Sequence, residues 1–316
     1  MHDDMNKWIK IIGNALTVVA IGFVVWKLTT QHIDYSMLLR ADAILPIIVV
    51  TVLQTVIVLT NGFPWTVVVS SISNVKVSFF QTMPVYLKSN LMKYIPGNVF
   101  QYVGRNELAA RYRLSHIQVA FATVTDVLLN VFSALCISLA FFRAYVVTTL
   151  SRSRFFWVAL AMAALILICA GAALYMRREW AKSKIVQYSY LFTRRTVGKI
   201  CLCLGYYIVA LVAGGVLFAL TFYWLLGEPF SPGPAFTLIS AYTLSWLIGF
   251  ITPGAPAGIG IKEAVMIAVV PASVSSPAIA VAMVAIRVIA TIADILAFFI
   301  SIAYERLSPA EHRKIA

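Results

Sequence analysis

The stretch Ile251-Thr252-Pro253-Gly254-Ala255-Pro256-Ala257-Gly258-Ile259-Gly260-Ile261-Lys262-Glu263 sets two prolines and three glycines inside apolar sequence. Proline removes a backbone donor and glycine adds backbone freedom, so a helix entering this stretch stops and restarts. At membrane depth such irregular backbone survives only inside protein or beside a water-filled cavity. An earlier stretch has the same order. Pro96-Gly97 is followed by Gly104-Arg105-Asn106-Glu107, as Pro253-Gly254 is followed by Gly260-Ile261-Lys262-Glu263. Each copy is Pro-Gly, a short spacer, then Gly-x-x-Glu beside a basic residue. The copies stand about half a chain length apart. Two half-length repeats, each with a broken helix and entered from opposite faces, are the pattern of an inverted-repeat transporter. A chance match is the plainer alternative, because Gly and Pro are frequent in membrane helices. Matched order and matched position together favour the repeat.

The composition around these stretches excludes a water-facing globule. Of 316 residues, 61% are hydrophobic and 12% charged, whereas soluble domains carry about 45–50% and roughly 25%. Disorder is excluded by the same figures. The chain is expected to be an all-α polytopic membrane protein, with little left over for an extramembrane catalytic domain. The formal charge of +13 would suggest nucleic acid in a soluble protein. Here the basic residues fall mostly between apolar runs, which fits orientation and anionic-lipid contact and argues against a nucleic-acid partner. Cys136, Cys169, Cys201 and Cys203 all lie in apolar runs and read as small buried hydrophobes.

Spans are predicted at 10–28, 43–59, 117–142, 156–175, 200–225 and 278–303. Each is long enough, or nearly so, to cross about 30 Å of hydrocarbon. The first apolar run lacks a small-residue cleavage site, so it reads as an uncleaved helix. The two broken regions, 79–110 and 234–270, are expected to turn back on themselves, the first from the cytoplasmic side and the second from outside. The segment 177–199 holds seven basic residues and one acid, and is placed in the cytoplasm. It divides the chain into a first membrane half, 1–176, and a second, 200–316. Lys7 and Lys10 place the N-terminus in the cytoplasm, and Arg306, Arg313 and Lys314 the C-terminus. This topology leaves Arg143, Arg152 and Arg154 outside, and one crossing more or fewer would move them.

Charges at membrane depth are where function is sought. Half-helices beginning near Asn98 and near Gly260 would aim unpaired N–H groups inward and favour an anion such as a phospholipid or polyprenyl-phosphate headgroup. The alternative is a packing kink, with Gly258 and Gly260 chosen for close helix contact. Glu263 needs water, a partner or a helix N-terminus. Its counterpart Glu107 has more polar neighbours. Arg105 can bind two phosphate oxygens through its fork, and Lys93 can do the same work or snorkel. Arg287 and Asp294 are seven apart, so they share one face of the last span. Asp126 and Asn130 are likewise paired within an earlier span. Gln54 and Trp65 face a cavity or serve packing. His32 and His116 are isolated at span edges. The sequence holds no HExxH, GxSxG, Walker-type or Rossmann pattern, and no cofactor is implied.

These residues carry a family resemblance that covers most of the chain. Asn90 with Lys93, Pro96-Gly97 with Gly104-Arg105, and Pro253 through Gly258 to Glu263 resemble the transmembrane region of lysylphosphatidylglycerol synthases and the related stand-alone flippase-like membrane proteins. Arg287 matches the family's later intramembrane arginine. The family's middle helix often carries acid-Arg-x-x-Asp. The matching Asp126-Val127-Leu128-Leu129-Asn130 lacks the arginine and the second acid, so that ion pair is expected to be absent or replaced. The resemblance implies the flippase-like part alone, without a soluble aminoacyltransferase domain. It implies a multi-pass protein of the cell inner membrane that moves a membrane lipid or polyprenyl-linked glycolipid between leaflets. Arg105, Glu107, Glu263 and Arg287 would contact the headgroup or compensate its charge, with envelope-lipid or glycosyl transfer enzymes as partners. Two rivals remain at this point: a membrane enzyme acting on a lipid-linked substrate, and a non-transporting partner of such enzymes.

Overall fold

The computed structural model describes residues 41–73, 77–95, 99–112, 114–149, 194–225, 232–252, 258, 260–270 and 276–307. The expected spans 10–28 and 156–175 and most of the basic segment lie outside the described residues. So do Pro96, Gly97 and Asn98 and the stretch 253–257. The described elements are all helical: α1 (Ala41–Thr60), α2 (Gly62–Ile72), α3 (Phe79–Leu91), α4 (Phe100–Ala109), α5 (His116–Thr149), α6 (Arg194–Leu220), α7 (Pro232–Ile251), α8 (Ile261–Val269) and α9 (Ser276–Leu307). One 3₁₀ turn, Met92–Tyr94, follows α3, another, Ala110–Tyr112, follows α4, and a π turn, Thr221–Leu225, prolongs α6.

Five helical segments are long and apolar enough to cross a membrane: Ala43–Ile72, His116–Leu139, Thr196–Trp224, Pro232–Ile251 and Ala278–Leu307. The chain is thus an all-α bundle of multi-pass membrane type. Its outer face agrees with that solvent. Leu45, Ile117, Leu128 and Val209 are all more than half exposed, whereas Asp126 and Asp294 are buried. Apolar groups outside and carboxylates inside suit hydrocarbon surroundings.

Sequence and structure differ at two joints. The expected span 43–59 continues through Asn61 into α2, whose Pro64 lacks the amide that would close the turn. Tyr206 donates to Thr60 Oγ1 at 2.8 Å and to Asn61 Oδ1 at 3.1 Å, meeting polar groups at this joint. The second difference is α7. It falls inside the second expected broken region, yet it is a 20-residue apolar helix of crossing length. Only the segment after it is short.

Both broken regions do end a helix and start another. In the first, Ser78 opens α3 with a reciprocal cap, accepting from Gln81 N at 3.3 Å while its own N–H donates to Gln81 Oε1 at 2.9 Å. That helix stops at the 3₁₀ turn before Pro96, and α4 resumes at Phe100 and packs back on α3. In the second, α7 stops before Pro253, and the nine-residue α8 packs back on α7. Gly258 and Gly260 carry φ of 73° and 84°, a region that costs other L-residues roughly 1–2 kcal/mol.

Two apolar cores flank these helices. One gathers Trp65, Val69, Val119 and Ala122 from α2 and α5 around Ala109 and Cys203. The other gathers Phe218, Leu238, Met266, Ile279 and Met283 from α6, α7, α8 and α9. The α6–α7 contact in the second core depends on absence of a side chain. A Cβ on Gly215 would lie 2.9 Å from Ile239 O and 3.1 Å from its Cα, both backbone atoms. Gly215→Val is expected to force the two helices apart and cost about 1–3 kcal/mol, read as a lower thermal midpoint in detergent. Gly205→Ala, which meets nothing within 4 Å, should melt like the parent.

Candidate functional site

Between the helices lies a cavity of about 270 Å³, with residues from every described α-helix except α2 on its wall. Among the described residues, seven charged side chains line it: Lys93, Arg105, Asp126, Lys262, Glu263, Arg287 and Asp294. Most of the wall's charge is matched in pairs.

The first pair ties α9 to the first break. Asp294 is 3% exposed. Its Oδ1 accepts from Asn90 Nδ2 at 2.9 Å, and its Oδ2 accepts from Tyr94 OH at 2.6 Å. Lys93 Nζ lies 2.7 Å from Oδ2. Asn90, Lys93 and Tyr94 follow i, i+3, i+4 spacing, so one helical face presents all three donors. Lower on the same two helices, Lys88 pairs with Glu305.

The second pair ties α9 to the second break. Arg287, two turns before Asp294, pairs with Glu263 on α8. The other oxygen of Glu263 accepts from Gly260 N at 2.8 Å. Glu263 therefore caps its own helix, and the N-terminus expected to greet a ligand anion already holds a carboxylate of the chain.

The third pair lies within the first half. Arg105 and Asp126 are both buried, with Arg105 Nη1 3.5 Å from Asp126 Oδ2. Arg105 lies 4.0 Å above the Tyr86 ring and 5.5 Å from the Trp65 ring, and its Nε donates to Ser89 Oγ at 3.3 Å. Tyr207 donates to the other oxygen of Asp126. Asp126 thus takes its arginine from α4, a different helix from its own.

Of the residues read from sequence, Lys93, Arg105, Asp126, Glu263, Arg287 and Asp294 converge on this cavity, with Gln54 and Asn130. The fork of Arg105, expected to hold phosphate, is engaged by rings, a hydroxyl and Asp126. Glu107 is half-buried and is not among the wall residues, whereas Glu263 is. Trp65 is fully buried and donates to Thr123 Oγ1 at 3.1 Å, which is a packing role. His116 is exposed and bonded to Asn106. Gly258 and Gly260 stand behind the wall as backbone turns, and Asn98 lies outside the described residues.

The sequence reading did not single out Lys262, Tyr94, Tyr207 or Trp246 as site residues. Trp246 reaches the wall from α7, stacked on Phe250 with ring centroids 4.9 Å apart. Its only signal was an apolar run. Asn130 Oδ1 is buried without a hydrogen-bond partner among the described residues, so the wall offers an unmet acceptor.

No family model, curated protein or solved structure matches the chain.

The Arg105–Asp126 pair gives a direct test of charge matching. Removing one partner of a buried pair costs about 3–5 kcal/mol, because it leaves an uncompensated charge. Arg105→Met and Asp126→Leu should each lower the thermal midpoint in detergent strongly. The double variant should melt above either single one.

Proposed function

We propose that the protein translocates a lipid between membrane leaflets, with the polar headgroup passing through the cavity while the tails stay in hydrocarbon. The observation that carries this reading is the cavity itself, a charged and partly unsatisfied chamber inside an apolar-faced bundle, with both broken regions on its wall. A static packing core has no need of such costly charges at that depth. The resemblance to flippase-like membrane proteins points the same way. We read the two breaks as halves of an inverted repeat. Their meeting on α9, one through Lys93 and Asp294 and one through Glu263 and Arg287, supports that reading. Rocking of the halves would then alternate access to the cavity. The headgroup is a phosphate ester, the membrane the inner membrane of the cell, and both termini are cytoplasmic on this proposal. A polyprenyl-linked glycolipid and a phospholipid both satisfy it.

The test is reconstitution of the full chain in vesicles with fluorescent lipids, followed by chemical quenching of the outer leaflet. Parent protein should exchange at least one lipid class. Glu263→Gln and Asp294→Asn should slow exchange tenfold or more, a change of about 1.4 kcal/mol in barrier. A flat response across anionic, zwitterionic and polyprenyl-phosphate sugar lipids would sink the translocation reading.

A further inference from the structure

The cavity's charges do not close. Among the described residues, four cationic side chains line it against three carboxylates. Arg105 pairs with Asp126, Lys93 with Asp294 and Arg287 with Glu263. Lys262 is left, with no ion pair or hydrogen bond among the described residues. Lys93, Arg287, Glu263 and Asp294 share the cavity wall with it. Each of the three carboxylates is already paired with another cation, so none of them is left among the described residues to neutralise the ammonium. A lone cation at membrane depth needs a counter-charge.

The place of Lys262 is built by its neighbours. A Cβ on Gly249 would fall 2.6 Å from Lys262 Cγ and 3.1 Å from its Cε. One on Gly258 would fall 2.8 Å from the same Cε. The aliphatic stem therefore lies in a slot between a glycine of α7 and a glycine of the second break. Any larger residue at either position would push the stem aside. A chain that snorkelled freely to the membrane surface would need no such slot.

We infer that Lys262 is the cavity's contact for an anionic ligand, and that it binds the singly charged phosphate of a phosphate ester. The ester supplies the missing negative charge, and the ammonium donates to its oxygens. This inference rests on the reading that the cavity receives a headgroup, and it names the residue that recognises it. The same chemistry would hold free phosphate, and the probes below separate the two.

Purified full-length protein in detergent is titrated calorimetrically with short-chain phosphatidylglycerol, the matching diacylglycerol and inorganic phosphate. Phosphatidylglycerol should bind and diacylglycerol should not. Lys262→Gln should weaken binding about tenfold or more, the scale of a lost charge-assisted contact. Lys262→Arg should retain most of the affinity, and Gly249→Ala should lose part of it by displacing the stem. Inorganic phosphate binding with the same Lys262 dependence supports the anion contact and assigns it to the free ion. Unchanged affinity in a Lys262→Gln variant that elutes and melts as the parent does overturns the inference, as does equal binding of diacylglycerol or no binding of any probe. Should Lys262→Gln fail to fold, unchanged affinity in Gly249→Ala overturns it instead. Leaflet exchange with Lys262-independent binding defeats this inference alone, and Lys262-dependent binding without exchange defeats translocation alone.

Discussion

The cost of holding charge away from water governs this structure. An ionised side chain in a medium of low dielectric constant loses several kcal/mol of hydration, and only a close partner with further hydrogen bonds offsets the loss. Asp294 shows how completely the bundle meets that demand. Three side chains from one short stretch of α3 and its 3₁₀ turn converge on its two oxygens. The first break is held where it is because Asn90, Lys93 and Tyr94 cannot leave without stranding a buried carboxylate. Arg287 does the same for the second break through Glu263. The breaks that proline and glycine create in the backbone are thus fixed in place by charge.

This explains why broken helices and charges occur together here. A helix that stops inside the bundle leaves backbone groups without intrahelical partners. Glu263 answers one of them at Gly260 while also answering Arg287. One carboxylate therefore closes a backbone debt and a side-chain debt at once. Gly260 can serve this turn because φ of 84° carries no Cβ penalty. The outer face has no such obligations, and it remains apolar.

How far the sequence disclosed this depends on distance along the chain. Membrane character was legible from composition, and the described spans at 43–59, 117–142, 200–225 and 278–303 from continuous hydropathy. Local periodicity also gave Arg287 with Asp294 and Asp126 with Asn130, because residues four or seven apart share a face of one helix. It failed where the decisive relation was long-range. Glu107 looked equivalent to Glu263 by spacing from Pro-Gly, yet packing turned only Glu263 to the cavity. The partner of Asp126 comes from another helix, which no pattern within α5 could reveal. Lys262 stood in view inside the motif, but that no described residue pairs with it emerges only when the other charges of the cavity wall have been matched. The length of α7 was obscured because Pro232 and Pro234 open it and Pro253 follows it, so it read as part of the break. Proline is well tolerated in the first turn, where the missing donor had no partner in any case.

The arrangement on α9 carries a mechanical consequence. Arg287 and Asp294 lie on one face two turns apart, or about 10 Å along the helix axis. Each is the anchor of a different break, and the polarity is opposite: α9 offers a cation to the second break and an anion to the first. A helix of 32 residues is stiff over that interval, so displacement of α9 against the two breaks loads both anchors together. An anion beside Lys262 changes this balance, because it also attracts Lys93 and Arg287, the cationic members of the two anchors. Binding can then weaken both latches in one step, whereas a neutral ligand of the same size would leave them closed. On the proposed function, that coupling is what would let the charge of a headgroup, rather than its bulk, release the two halves to move.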